Sequence, residues 1–228
     1  MKINKPLLAG QIVFLFVVFA LALFLPAGTI AWPAAWIFLV LFFSFVVALT
    51  VWLFRHSPGL LTERMRGNIQ SGQKAWDKLF QVLVNIAFFV WLIIMPLDAI
   101  RFHWSQVPLW LQAVGVLLLL FSFYLFFLTF RENSYLSPVV RIQKERGQTV
   151  VSSGPYQYVR HPMYAGATLF VLGTPLLLGS LYGILIGLLL VVMIAIRAVM
   201  EERTLREELP GYDAYMHEVK YRLIPYVW

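Results

Sequence analysis

Four stretches of this chain run without a charged residue for the length of a bilayer crossing: residues 7–25, 36–54, 79–97 and 109–130. A hydrocarbon core of about 30 Å takes about 20 helical residues, so each stretch predicts one membrane-spanning helix. A fifth apolar block, 163–200, is too long for one crossing. Pro175 and the Gly179-Ser180 pair lie near its middle, and they predict a tight hairpin of two helices. The expected fold is therefore an all-α integral membrane protein of about six transmembrane helices, the last two forming the hairpin. Composition agrees: 61 % of residues are apolar and 13 % charged, more apolar surface than a soluble fold of 228 residues can hide.

Other classes fall away quickly. The chain has no cysteine, which excludes a disulfide scaffold, a thiol nucleophile and thiolate metal sites. Its 19 Phe, 8 Trp and 10 Tyr exclude a disordered chain. His56, His103, His161 and His217 are isolated and lack metal-ligand spacing, so no metal is expected. Lys2 and Lys5 precede the first apolar run, but that run is longer than a signal core and Pro26 ends it without a cleavage site. It is read as an uncleaved anchor helix.

Six crossings put both termini on one side. Every basic residue except Arg101 then falls on that side, in the first residues, the 55–78 and 131–160 connections and the tail. The positive-inside rule makes that side cytoplasmic. The net charge of +7 follows from this bias and from contact with anionic lipid. The basic residues are scattered and no recognition motif is present, so nucleic acid is not an expected partner. Trp32, Trp36, Trp52, Trp76, Trp104 and Trp110 fall near span ends, as an interfacial belt would. Gly179, Gly183 and Gly187 recur every four residues and predict a smooth face for helix packing.

Two polar features stand against this background. The 55–78 connection, with turns at Pro58-Gly59 and Gly67-Asn68, reads as a solvated link that can cover a site but has no chemistry of its own. The 131–166 stretch ends in Gly154-Pro155-Tyr156 and Arg160-His161-Pro162-Met163-Tyr164. Pro162 suits the first position of a helix, whose free N–H groups attract an anion such as a carboxylate. The same residues also suit a capped helix entering the membrane, with His161 as a local hydrogen-bonding group. Arg197 lies well along the last apolar helix, with Glu201 one turn later on the same face. A membrane arginine usually marks a site; it can also snorkel to the surface and pair with that glutamate. A tight hairpin places its start beside its end. Tyr156, His161, Tyr164, Arg197 and Glu201 can then line one pocket at the inner membrane surface. The tail after Glu202 carries Tyr212, Tyr215, Met216 and Val219 at helical spacing, which predicts a short amphipathic helix on the membrane or over the pocket.

The segments QTVVSSGPYQYVRHPMYAG at 148–166, EERTL at 201–205 and the Tyr212/Tyr215 tail ending YRLIP resemble the isoprenylcysteine carboxyl methyltransferase family. The related phospholipid N-methyltransferases share part of the pattern. The resemblance covers mainly 131–228 and divides the single expected membrane domain, 1–228, into four helices over 1–130 and a catalytic region over 131–228. It implies S-adenosylmethionine as cofactor, S-adenosylhomocysteine as product, and no metal. It implies that Gln148, Thr149, Val150 and Val151 form a strand-like stretch along the cofactor. Tyr156, His161, Pro162, Met163 and Tyr164 would hold it, with Glu201 on its ammonium or its ribose. Arg197 would be the catalytic and substrate-binding arginine, and Arg141 a looser polar contact. The substrate implied is a lipidic, isoprenylcysteine-like or small carboxylate, taken from the bilayer and O-methylated at the cytoplasmic interface. A planar arginine fork suits a carboxylate, and an ionised carboxylate needs no general base. Three readings compete: a phospholipid N- or thiol S-methyltransferase of the same fold, an NADPH-dependent membrane reductase, and a transporter.

Overall fold

The computed structural model describes residues 4–65, 67 and 72–228. Lys2 and Asn68, invoked above for charge and turn, and Arg66, one of the basic residues of the 55–78 connection, lie outside the described residues. Eight α-helices are present among the described residues, with no β-strand: α1 (Lys5–Ala27), α2 (Pro33–His56), α3 (Pro58–Met65), α4 (Ala75–Pro96), α5 (Leu109–Glu132), α6 (Pro162–Leu178), α7 (Leu181–Glu208) and α8 (Tyr212–Glu218). Five helices are long and apolar enough to cross a membrane: α1, α2, α4 with its π-helical continuation to Arg101, α5 and α7. The fold is a multi-pass all-α membrane protein. Helix α6 is apolar but shorter, at 17 residues.

Local chemistry sets the boundaries. Asn4 caps α1 by accepting from the Leu7 N–H at 3.1 Å. Proline stands at the start of α2 and of α6, where its missing N–H is no loss. Helix α6 ends at Gly179, whose φ of +82° is the left-handed cap that glycine adopts without a Cβ penalty. Ser180 then caps α7, its Oγ accepting from the Gly183 N–H at 2.8 Å. Gly179 thus belongs to the turn and not to the helix face that the four-residue spacing predicted. Gly183 and Gly187 do lie at a close approach: a Cβ on Gly183 would sit 2.6 Å from Met95, and one on Gly187 3.1 Å from the Val171 carbonyl.

The core lies where α5, α6 and α7 pack against α1, α2 and α4. Phe19, Phe38, Phe42, Phe123 and Phe170 interleave there. Trp91 is fully buried and donates to the Gly183 carbonyl at 2.9 Å. Trp32, expected in the interfacial belt, is buried too. At the end of the bundle bearing the Gly179-Ser180 turn, Asp98 accepts from Ser180 at 2.6 Å, Ser105 at 2.8 Å and the Tyr182 N–H at 3.2 Å. That buried carboxylate ties the end of α4 to the turn between α6 and α7. The opposite end of α6 is left to build the site.

Candidate active site

Pro162 starts α6, and Arg160 and His161 precede it, each donating its backbone N–H to the tail: Arg160 to Tyr221 O and His161 to Arg222 O, both at 2.9 Å. The tail therefore runs alongside the entry to α6. Far along α7, Glu201 and Glu202 follow one another and face different ways, as successive helical residues must. Glu202 turns to the tail, where its buried carboxylate accepts from Arg160 Nε at 2.7 Å and Arg222 Nε at 2.8 Å and meets His161 Nε2 at 3.2 Å. Glu201 turns to a cavity and accepts from the Tyr164 hydroxyl at 2.5 Å. Tyr164 also stacks on His161, ring centres 5.4 Å apart.

The cavity encloses about 310 Å³, at the lower end of small-molecule sites, about 300–1,000 Å³. Gln148, Thr149, Val150, Val151, Tyr156, His161, Met163, Tyr164, Arg197 and Glu201 all line it. Pro162 is buried behind the wall and does not line it. The 148–151 stretch is loop with no strand assigned. Thr149 is exposed, and the Gln148 side chain accepts from the Gln143 N–H at 2.8 Å. Gly154 (φ +58°) passes so close to Glu132 that a Cβ would fall 2.4 Å from its Cγ, so the turn before Pro155 requires glycine.

At one end of the cavity Tyr156, Leu209, Tyr212 and Tyr215 form a small core with Val150 and Val151 around it. Tyr156 accepts from Asn133 at 2.8 Å, and Tyr215 donates to the Tyr156 carbonyl at 2.7 Å. Burial pushes the Tyr156 phenol up from its ordinary value, so it stays neutral. Tyr212 also lines the cavity, and its hydroxyl is buried without a hydrogen-bond partner among the described residues.

Arg197 differs from expectation. Its Nη2 lies 3.0 Å from Asp77 Oδ1 and donates to the Pro138 carbonyl at 3.0 Å, while its guanidinium covers Phe80. The pairing with Glu201 that helical spacing allowed as an alternative is replaced by one with Asp77, in the first turn of α4. Asp77 is fully buried and also accepts from Gln73 Nε2 and the Val140 N–H, each at 2.9 Å. One Arg197 donor, Nε, is buried without an acceptor among the described residues. Arg141 lines the cavity and is paired with Glu63 at 2.8 Å and Glu145 at 2.6 Å. The 55–78 connection was expected to carry no chemistry. It was also expected to cover the site: it supplies Glu63, Arg64 and Asp77, and Arg64 joins the cavity wall together with Gln81 of α4. A lone acid at the start of an apolar span was the one sequence signal that could have singled out Asp77.

The residues present fit S-adenosylmethionine. The unpartnered Tyr212 hydroxyl, the Glu201 carboxylate and the aromatic Tyr156 and Tyr164 rings offer a donor, an anion and π-faces to a cationic, polyhydroxylated group. Residues 110–210 match the family model described as phospholipid methyltransferase. This is the family named second above, and the segment runs from α5 through the cavity loop to the end of α7. No curated relative matches the chain. Arg64, Asp77 and Gln81 precede the matched segment.

Proposed function

We propose that this chain is an integral membrane S-adenosylmethionine-dependent methyltransferase whose acceptor is the amine of a phospholipid headgroup. The observation that carries this reading is that the matched segment supplies most of the cavity wall, with Glu201 and the Tyr212 hydroxyl presented to its interior. Bound S-adenosylmethionine supplies a methyl group on a sulfonium, which a nucleophile displaces in line. The residues of the chain bind and orient. Tyr212 donates a hydrogen bond, Tyr156 and Tyr164 set their rings toward positive charge, and Glu201 holds an ammonium or takes the proton that an amine acceptor must lose. Holding nucleophile and methyl carbon in line lowers the barrier without a metal. Gln148, Thr149, Val150, Val151, His161 and Met163 complete the cofactor wall, with Pro162 supporting it from behind.

The acceptor assignment turns on Arg197. A guanidinium already facing the Asp77 carboxylate and the Pro138 carbonyl is a poorer receptor for a second carboxylate than a free one. We therefore assign Arg197 to orienting the loop at Pro138 beside the acceptor. A second reading, O-methylation of an isoprenylcysteine-like carboxylate, is favoured by one fact, the free buried Nε of Arg197.

The same proposal covers topology. At about 1.5 Å per residue α6 is about 25 Å long, a little short of a hydrocarbon core of about 30 Å, and we assign it as a sixth, short crossing. Residues 1–228 then form one membrane domain with 131–228 as its catalytic region, and the termini and the cavity face the cytoplasm.

The test uses detergent-purified full-length protein and methyl-labelled S-adenosylmethionine, with an aminophospholipid or a prenylated cysteine carboxylate as acceptor. A product label that survives mild alkali is an N-methyl group; one released as methanol is a methyl ester. Alkali-stable label on the phospholipid is expected. Alkali-labile label on the carboxylate alone selects the second reading. Calorimetric binding of NADPH and not of S-adenosylhomocysteine selects the reductase, and binding of neither favours the transporter.

A further inference from the structure

Arg64 is the one cavity-lining arginine without a carboxylate among the described residues. Arg141 faces Glu63 and Glu145, Arg160 faces Glu202, and Arg197 faces Asp77. Arg64 instead lies over the Phe130 ring, 5.2 Å from its centre, and makes no hydrogen bond or ion pair to any described residue. Stacking fixes the plane of the guanidinium and leaves its donors free. Burial, and then the like charge of Arg197, lower it to about 10, a strain that an anion beside it relieves. Its helix, α3, packs on the ends of α1, α2 and α5 through Leu60, Leu61, Leu8, Leu53 and Phe130. That is the level at which membrane helices meet headgroups, and it lies on a different small core from the Tyr156, Tyr212 and Val150 end assigned to the cofactor. Glu201 in the same cavity makes no ion pair to a basic side chain among the described residues. Among the described residues the cavity thus offers one cation without a carboxylate and one acid without a basic partner, the complement of a headgroup that joins a phosphate to an ammonium.

We propose that Arg64 binds the phosphate of the acceptor lipid and so selects phosphate-bearing acceptors. This rests on the methyltransferase reading for the identity of the ligand, and the residue lies outside the segment that the family match covers. Guanidinium–phosphate pairing is charge-assisted and two-pronged, which also sets how deep the amine reaches.

The experiment is calorimetric titration of dihexanoyl phosphatidylethanolamine into the purified full-length protein saturated with S-adenosylhomocysteine. It is repeated with Arg64→Met, which keeps the packing on Phe130, and with Arg64→Lys. Wild type is expected to bind this lipid well above dihexanoylglycerol, which lacks phosphate. Arg64→Met loses about tenfold or more of that affinity, Arg64→Lys restores part of it, and S-adenosylhomocysteine affinity stays the same in all three. Undiminished lipid binding by Arg64→Met overturns the proposal. So does a parallel loss of S-adenosylhomocysteine affinity, which assigns the anion to the cofactor's carboxylate. Displacement of the lipid by equimolar inorganic phosphate overturns it too, in favour of a free-anion site. Should Arg64→Met fail to purify, Arg64→Gln takes its place. Failure of the methyltransferase reading shows separately, as wild type that does not bind S-adenosylhomocysteine; the lipid titration without it still reads Arg64.

Discussion

Arg197 in α7 and Asp77 in α4 lie 3.0 Å apart, and Asp77 is fully buried. Through Pro138 and Val140, both also reach the loop that walls the cavity. The pair joins two membrane helices and that loop at one point. Removing one member of a buried pair leaves an uncompensated charge and costs about 3–5 kcal/mol. Asp77→Ala is therefore expected to lower the unfolding temperature in detergent sharply, and Asp77→Ala/Arg197→Met to recover part of the loss. Additive losses in that double-mutant cycle would show that the two groups are not coupled.

Arg197→Ala leaves Asp77 its bonds to Gln73 and Val140 but removes its counter-charge, so a lower unfolding temperature is expected here too. It is expected to abolish most turnover while S-adenosylhomocysteine affinity is largely kept. Calorimetry beside a methyl-transfer assay separates the two. Equal loss of both would move Arg197 from the acceptor to the cofactor.

Glu201 and Glu202 should part company. Glu201→Gln keeps the shape of the cavity and removes its acid, so S-adenosylhomocysteine binding weakens by about tenfold while the melting temperature holds. Glu202→Ala strands Arg160 and releases Arg222, costing about 3–5 kcal/mol. It should also expose the tail to protease. A cofactor defect in the second variant with a stable fold would reverse the assignment.

Tyr212 carries a buried hydroxyl with no hydrogen-bond partner among the described residues. Its removal in Tyr212→Phe leaves stability unchanged or raises it by about 1 kcal/mol, since an unsatisfied polar group is lost. The same variant is expected to bind S-adenosylhomocysteine several-fold more weakly. Unaltered affinity would show that the hydroxyl does not face the cofactor.

Gly115 in α5 lies against α6 so closely that a Cβ would stand 2.4 Å from Leu177 N and 2.7 Å from the Gly173 carbonyl. Backbone is on the other side of the contact, so nothing can rotate away. Gly115→Ala is expected to destabilise by about 1–3 kcal/mol, read as a lower melting temperature in detergent. A neutral result would show that the two helices can part without penalty.

The spans could be read along the chain because hydrocarbon imposes length and apolarity on each helix separately. The cavity motif was legible for a similar reason. Gly154, Pro155, Tyr156 and the run to Tyr164 are local, and a turn at Gly179-Ser180 brings α6 back along α7, so that Tyr164 reaches Glu201. The facing of Glu201 and Glu202 was open to the same logic, since neighbours on a helix diverge by about 100°.

What the linear chain could not contain was the partner of each charge. Arg197 had Glu201 one turn away, the nearest acid by helical arithmetic, yet Asp77 holds it because α4 packs against α7 and leaves that carboxylate no water. Arg64 looked like one more cytoplasmic cation until α3 laid it on Phe130 beside the cavity. Apolar length and helical period act within a segment, so the amino-acid order alone determined the membrane helices and the motif at the mouth of α6. Ion pairing in a dry interior depends on which segments meet, and only the packed bundle decided which arginines face a carboxylate and which one, Arg64, has none among the described residues.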